Sequence, residues 1–161
     1  MPNWCNNTLT LTHEDPTQID RAIAAFQEGK LCQEFHPMQP HLLEDESWYN
    51  WRVDNWGTKW DVGGETEGRI DRINENSVSI SFESAWCPPI EFYQHIEENC
   101  GFAVNATWFE PGMGFAGEFY DGESQHYEWS DLEEARAVIP DHIEEQYGII
   151  ADLEMWAEED E

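Results

Sequence analysis

Hydrophobic and polar residues alternate in two segments of the chain. From residue 4 to residue 11, one face of an extended chain carries Cys5, Asn7, Leu9 and Leu11. From residue 77 to residue 83, one face carries Val78, Ile80 and Phe82. Because successive side chains of a strand point to opposite faces, both segments are predicted to be half-buried strands. Weaker patterns predict further strands at 58–62, 66–73, 102–109, 114–120 and 123–129.

Two helices are predicted from their start and stop signals. The first begins at Asp15, an N-cap residue that precedes a proline, and apolar residues then recur at helical spacing until Gly29. The second follows the pair Pro88-Pro89 and ends at Gly101. Each of them lies between predicted strands, so we expect both to pack on a sheet.

The connections between these elements are less regular. Residues 31–44 contain two prolines and are predicted to form a long loop, whereas residues 45–55 are compatible with a short helix. The dipeptide Asp121-Gly122 is typical of a tight turn between antiparallel strands. We therefore expect a β-hairpin across residues 114–129.

The C-terminal segment is predicted to be helical. Ser130 and Glu133 have the spacing of a capping box, and Pro140 ends the helix that they begin. Helical patterns follow at 141–147 and 149–157.

The order of the elements predicts an α+β fold. Strand, helix, strand, strand, helix, strand is the ferredoxin-like arrangement, an antiparallel sheet with helices on one face. A β-hairpin and a C-terminal helical extension are expected in addition. We therefore divide the chain into a core domain at 1–120 and an acidic extension at 121–161, which packs on or beside the core.

The charge of the chain is extreme. It has 7 Lys and Arg residues against 35 Asp and Glu residues, a formal net charge of −28. Beyond residue 72, Arg136 is the sole Lys or Arg among 22 acidic residues. Such a balance repels nucleic acid and anionic membranes, because phosphate binding depends on Lys and Arg. The expected partner is a basic protein.

The acidic residues of the C-terminal segment are the candidate partner-binding surface. The predicted set is Asp131, Glu133, Glu134, Asp141, Glu144, Glu145, Asp152 and Glu154. If residues 131–161 were helical throughout, they would extend over about 46 Å at about 1.5 Å per residue. The twelve acidic residues of this segment would then be spaced by about 4 Å along the axis. This spacing is close to that of the phosphates along one DNA strand, about 3.4 Å.

This pattern leaves three hypotheses open. The first is a non-enzymatic interaction protein that imitates DNA and occupies or inhibits a nucleic-acid-binding protein. The second is a ligand-binding or structural domain whose acidity serves solubility or salt adaptation. The third is an enzyme with an unrecognised carboxylate site.

Four segments resemble the YubB-like family, small proteins encoded by plasmids and bacteriophages. They are Met1-Pro2-Asn3-Trp4-Cys5-Asn6-Asn7, Trp56-Gly57-Thr58-Lys59-Trp60, Ala85-Trp86-Cys87-Pro88-Pro89, and Glu110-Pro111-Gly112 with Phe115-Ala116-Gly117. The resemblance covers roughly residues 1–120. It implies a ferredoxin-like fold, a bacterial host and a mobile-element origin. In that setting, a host-defence protein is an expected target. It transfers no catalytic residue.

Candidate chemistry is sparse. Trp56, Lys59, Trp60 and Trp86 are the predicted pocket residues, because large aromatic side chains can line a ligand site as well as a core. No catalytic residue, cofactor or metal site is predicted. Cys87 precedes a helix, where a thiol can become reactive, but no basic partner is near it in sequence. His36 and His41 lack metal-ligand spacing.

The N-terminal residues show no basic leader followed by an apolar run, and no apolar segment has transmembrane length. The cytoplasm is therefore the expected location, and the resemblance implies that the host is bacterial. The sequence makes no prediction of the oligomeric state.

Overall fold

The computed structural model describes residues 3–44, 46–64 and 69–159. Within these ranges the chain forms a six-stranded sheet and eight helices. The strands are β1 (Trp4–Thr12), β2 (Arg69–Asn74), β3 (Ser77–Ala85), β4 (Ala103–Glu110), β5 (Phe115–Tyr120) and β6 (Glu123–Glu128). The helices are α1 (Pro16–Gln27), α2 (Leu31–Phe35), α3 (His41–Glu44), α4 (Trp48–Asn55), α5 (Ile90–Asn99), α6 (Leu132–Val138), α7 (Asp141–Tyr147) and α8 (Ile149–Glu159).

The strand order is β2-β3-β1-β4-β5-β6, and every neighbouring pair is antiparallel. The first four strands have the ferredoxin-like order, in which each helical crossover passes over one strand. The β4–β5 and β5–β6 connections are hairpins that extend the sheet beyond this core. The predicted α+β fold is therefore confirmed.

The main hydrophobic core lies between one face of the sheet and helices α1 and α5. β1 alternates between buried and partly exposed residues, as its sequence predicts. Cys5, Leu9 and Leu11 are fully buried. Asn7 shares their face, and its amide group donates hydrogen bonds to the Cys5 carbonyl (3.0 Å) and the Ser84 hydroxyl (2.8 Å). These bonds offset the cost of burying a polar side chain.

A second hydrophobic cluster lies on the opposite face of the sheet. Its buried members are Ala116, Trp129, Ala135, Ile139, Ile143 and Ile149. Phe109 of β4 packs against this cluster, whereas Trp108 belongs to the main core. The C-terminal helices thus cover the face that α1 and α5 leave open. The boundary predicted after residue 120 falls in the turn between β5 and β6, which are hydrogen-bonded to each other.

Most predicted elements agree with the structure. β1, β3, α1 and α5 lie where alternation and capping placed them, and the Asp15 carboxylate accepts a hydrogen bond from Thr17 N. Asp121 and Gly122 both have positive φ angles, +52° and +78°, as the predicted hairpin turn requires. The C-terminal helices α7 and α8 also match their predicted ranges.

The predicted loop at 31–44 was wrong, because it contains α2 and α3. The N-terminus of α2 is capped from a distant part of the chain. Asp61 accepts hydrogen bonds from Cys32 N (2.7 Å) and Gln33 N (2.9 Å), while the local N-cap residue, Lys30, makes no side-chain cap. A capping carboxylate 29 residues away leaves no local signal in the sequence.

Three smaller predictions also need correction. Residues 58–62 form bends and irregular structure instead of a strand. The strand predicted at 66–73 is β2, which begins at Arg69; residues 66–68 lie outside the described residues. The N-cap of α6 is Asp131, one residue after Ser130, and its carboxylate accepts from Glu134 N (2.8 Å).

Gly117 in β5 allows Trp108 to lie close to the sheet. A Cβ atom at Gly117 would be 2.5 Å from the Gln125 carbonyl oxygen and 2.6 Å from the Trp108 ring. We expect Gly117→Ala to lower the free energy of unfolding by about 3 kcal/mol, because neither the neighbouring backbone nor the packed indole can move freely. Urea unfolding monitored by circular dichroism measures this change.

Gly148→Ala is the matched control. Gly148 has a φ of +63°, and a Cβ atom there would have nothing within 4 Å. The expected cost is about 1 kcal/mol, from the left-handed backbone alone. Equal costs at the two glycines would contradict the close contact at Gly117.

Candidate functional site

Strand register brings the four sequence segments described above to one end of the sheet. Trp4 pairs with Ala85, so the start of β1 lies beside the end of β3. Asn6 pairs with Phe109, which places the end of β4 on the other side of β1. Segments that are far apart in sequence therefore form one structural unit.

Hydrogen bonds join these segments directly. They run from Trp86 N to Asn3 O (2.8 Å), from Thr58 Oγ1 to Ala85 O (3.0 Å), and from Cys87 Sγ to Gly57 O (2.8 Å). Thr58 is 1% exposed. The loop after α4 is thus held against the end of β3 by two of these hydrogen bonds.

The connection from β3 to α5 contains a strained turn. Trp86 has a φ of +70°, and Cys87 N donates to Ala85 O (2.9 Å), the hydrogen-bond pattern of a γ-turn. This form of the turn, with positive φ, is rare and costly for a residue other than glycine. A second bond of the same span joins Ile90 N to Pro88 O. The chain therefore holds Trp86 in a fixed and unfavourable conformation.

The Cys87 thiol is not activated by its position before α5. Burial raises its pKa, and the neighbouring Glu91 carboxylate raises it further. The thiol donates a hydrogen bond to Gly57 O. It is therefore held in its protonated form, which is the less nucleophilic one.

The turn between β4 and β5 is organised by Glu110, which is 1% exposed. Its carboxylate accepts hydrogen bonds from Gly112 N (2.7 Å) and Met113 N (2.6 Å). Two backbone donors of the turn are thus satisfied by one side chain. The turn carries Met113 to a cavity beside it.

This cavity has a volume of about 830 Å³. Its floor is the sheet, where Trp108, Phe115, His126 and Glu128 point to the same face. One wall is the segment from Trp86 to Glu91, and another runs from Trp129 to Glu134. The start of α5 contributes Ile90 and Glu91 to the lining. The volume lies within the range of small-molecule sites.

The predicted pocket residues do not form one group. Trp86 lines the cavity, together with Gly57 of the adjoining segment. Trp56 is fully buried in the core, and its indole N–H donates to His36 O (2.8 Å). Lys59 lies over the Trp60 ring at 4.4 Å. Trp56, Lys59 and Trp60 are not among the lining residues of the cavity.

The predicted acidic residues have two different environments. Asp131 and Glu134 cap the start of α6, Glu144 accepts from Ile150 N and Ala151 N at the start of α8, and Glu154 pairs with Arg136 at 2.6 Å. The other four, Glu133, Asp141, Glu145 and Asp152, are exposed, and their side chains make no hydrogen bond or ion pair within the described residues. The linear 46 Å strip is not formed, because α6, α7 and α8 are three short helices separated at Pro140 and Gly148.

The two histidines considered as metal ligands are separate. His41 is exposed in α3, whereas the His36 ring stacks on His95 with centroids 3.6 Å apart. Burial lowers the pKa of His36, and His95 lowers it further. Across the part of the chain that the structure describes, His, Cys, Asp and Glu form no cluster of three suited to a metal ion.

Most of the cavity residues were missed by the sequence analysis. Trp108, Phe115, His126 and Trp129 were placed in or beside strands, but nothing local showed that they share one face of neighbouring strands. The signal that could have located the cavity was the set of four segments, three of which supply lining residues.

Comparison with known proteins supports the fold alone. No protein-family model and no curated protein matches the chain. The structure is similar to the crystal structure of a protein api92 from Yersinia pseudotuberculosis, which is assigned to the family model DUF1281, with a TM-score of 0.51 and 10% sequence identity. The match covers 81% of this chain and 99% of that chain.

This similarity agrees with the α+β architecture described above. The resemblance to the YubB-like family stays a prediction. Among the helices of the described residues, none has the length and apolar character that crossing a membrane requires.

We expect Glu110→Ala to lower the free energy of unfolding by about 2 kcal/mol, because the backbone N–H groups of Gly112 and Met113 lose their shared carboxylate acceptor. Glu110→Gln retains an acceptor oxygen and should cost less than half as much. Urea unfolding of both variants tests this expectation. An alanine variant as stable as the wild type would show that the turn does not depend on the carboxylate.

His36 should make stability depend on pH. Its pKa is lowered in the folded state, so its contribution is complete above its unfolded pKa, about 6.5, and is lost as the pH falls through the folded value. We expect the wild type to lose stability relative to His36→Phe between about pH 7 and about pH 5. Unfolding curves of both proteins across this range measure the difference, and effects of the many carboxylates cancel in it. Parallel curves would exclude the proposed contribution of His36.

Proposed function

We propose that this protein is a non-enzymatic interaction protein whose C-terminal helices bind a basic, nucleic-acid-binding partner in place of nucleic acid. The observation that carries the proposal is that its acidic residues lie on helices packed against the sheet. Ala135, Ile139, Ile143 and Ile149 anchor α6, α7 and α8 in the second hydrophobic cluster. These helices therefore hold the carboxylates in place. We call α6, α7 and α8 with their acidic side chains the acidic layer.

Cations compensate little of this charge. In the described part of the three C-terminal helices, Arg136 is the sole Lys or Arg, and it pairs with Glu154. His142 contacts Glu118 of β5 at 2.8 Å and carries a charge only when protonated. A concentrated and uncompensated negative surface attracts basic proteins over long range and accelerates their association.

The environments of the carboxylates separate the contact residues from the structural ones. Asp131, Glu134 and Glu144 accept hydrogen bonds from backbone N–H groups at the starts of α6 and α8, so they have a structural role. We assign the partner contacts to Glu133, Asp141, Glu145 and Asp152, which are exposed and have no structural partner among the described residues.

The proposal includes a bacterial cytoplasmic setting and a mobile-element origin, where a defence nuclease or another DNA-binding protein would be the target. The acidic helices would then compete with DNA for the binding site of that protein.

The triple variant Glu133→Lys, Glu145→Lys, Asp152→Lys tests the proposal. We expect it to lose at least 90% of the basic proteins that immobilised wild-type protein retains from a bacterial lysate. We also expect a 20-base-pair DNA duplex to elute those proteins from the wild type, because both compete for one site. Raising the salt concentration should weaken retention steeply, since exposed charges are screened.

The control variant is Glu14→Lys, Glu28→Lys, Glu75→Lys. It changes the net charge by the same amount, and all three residues are exposed in the N-terminal half of the chain. Equal losses in the two triple variants would show a general effect of charge and would contradict a defined surface. Proteins that the duplex fails to elute would contradict the imitation of DNA.

A further inference from the structure

The cavity beside Trp86 has walls of one charge sign. Glu91, Glu128 and Glu134 line it, and the described lining residues include no Lys or Arg. His126 contacts Glu128 at 2.8 Å. Carboxylates gathered around a concave site raise the local concentration of cations and repel anions. The charge of the cavity therefore selects a positively charged ligand.

The other walls are aromatic. Trp86, Trp108, Phe115 and Trp129 contribute to the lining. A cation over the face of a tryptophan is attracted by the ring, and this attraction grows when water is excluded. The same rings bury the apolar part of a ligand. A site of carboxylates and indoles thus suits a molecule that combines a positive group with an apolar body.

The exposure of Trp86 is not explained by packing alone. Its side chain is 45% exposed although its backbone is strained, so the ring gains little burial in return for that strain. This exposed indole lies at the cavity. Trp108, by contrast, is 1% exposed and belongs to the closed floor.

We propose that this cavity binds a small organic cation, a primary ammonium or amidinium group on an aromatic or aliphatic body. The positive group lies among Glu91, Glu128 and Glu134, and the apolar body packs against the indoles. This site is separate from the exposed carboxylates assigned to a protein partner, and it does not depend on that proposal. Glu134 alone belongs to both the cavity and the acidic layer.

A series of indole compounds separates charge from shape. Tryptamine is positive, indole is neutral and indole-3-acetate is negative, and all three share one ring system. By isothermal titration calorimetry, we expect tryptamine to bind with a stoichiometry of one and at least tenfold more tightly than indole. Indole-3-acetate should show no binding. Benzamidine and spermidine extend the test to an amidinium group and to an aliphatic body.

Variants locate the binding site. Glu128→Gln and Glu134→Gln should each weaken tryptamine binding at least fivefold, and glutamine at position 134 retains an acceptor for Ser130 N. The matched control is Glu133→Gln, one residue away on α6 and outside the cavity lining. Its affinity should stay within twofold of the wild type.

Trp86→Gly tests the strained turn. Glycine adopts a positive φ without strain, so we expect the variant to unfold at a urea concentration close to that of the wild type. Tryptamine binding should nevertheless fall at least fivefold, because one aromatic wall is lost. Unchanged binding would assign Trp86 a structural role only.

The outcomes decide the proposal. If tryptamine, benzamidine and spermidine all fail to show saturable binding at millimolar concentration, the proposal is overturned. Equal affinities for tryptamine and indole, or equal effects of Glu133→Gln and Glu134→Gln, also overturn it, since the cavity charge would then have no role.

Discussion

The register of β1 is the constraint on which the rest of the structure depends. This strand is hydrogen-bonded to β3 on one side and to β4 on the other, and its Cys5, Leu9 and Leu11 side chains enter the core. A shift by one residue would turn these side chains away from α1 and α5. The same register sets the ends of β3 and β4 on either side of the start of β1. The turn at Trp86 and the turn at Glu110 therefore have to be neighbours.

The cavity follows from this arrangement and from the added hairpin strands. A ferredoxin-like sheet of four strands is covered by its two crossover helices. β5 and β6 enlarge the sheet, but the C-terminal helices pack on its other face through Ala116 and Trp129. Phe115 and the edge of the main core at Trp108 therefore form the floor of a cavity between α5 and the segment that follows β6. An enlarged sheet with displaced helices thus creates a concave site without any change in the core.

The sequence predicted the regular parts of this fold because their causes are local. Alternation placed β1 and β3, and residues such as Asp15 and Gly122 marked a helix start and a hairpin. The failures have distant causes. Asp61 caps α2 from 29 residues away, and Trp56 is a core residue whose indole N–H donates to the distant His36 carbonyl. The cavity could not be located for the same reason, since its walls come from five separate parts of the chain.

The acidic residues also differ in whether they have structural partners. Composition shows the charge but does not show which carboxylates have structural partners. Glu110 and Glu144 each accept two backbone N–H groups, so they strengthen the fold. In the helices, Glu133 and Glu145 are exposed. Residues of the first kind contribute to stability, whereas those of the second add mainly to the repulsion between like charges.

This repulsion links the cavity to the stability of the whole protein. Glu91, Glu128 and Glu134 face a common space, and bringing like charges together there costs free energy in the ligand-free protein. A ligand that binds the folded state and not the unfolded one stabilises it by mass action. A bound cation would in addition relieve the repulsion among the three carboxylates. Occupancy of the cavity and stability of the C-terminal helices are therefore coupled through Glu134, which lines the cavity and accepts a hydrogen bond at the start of α6.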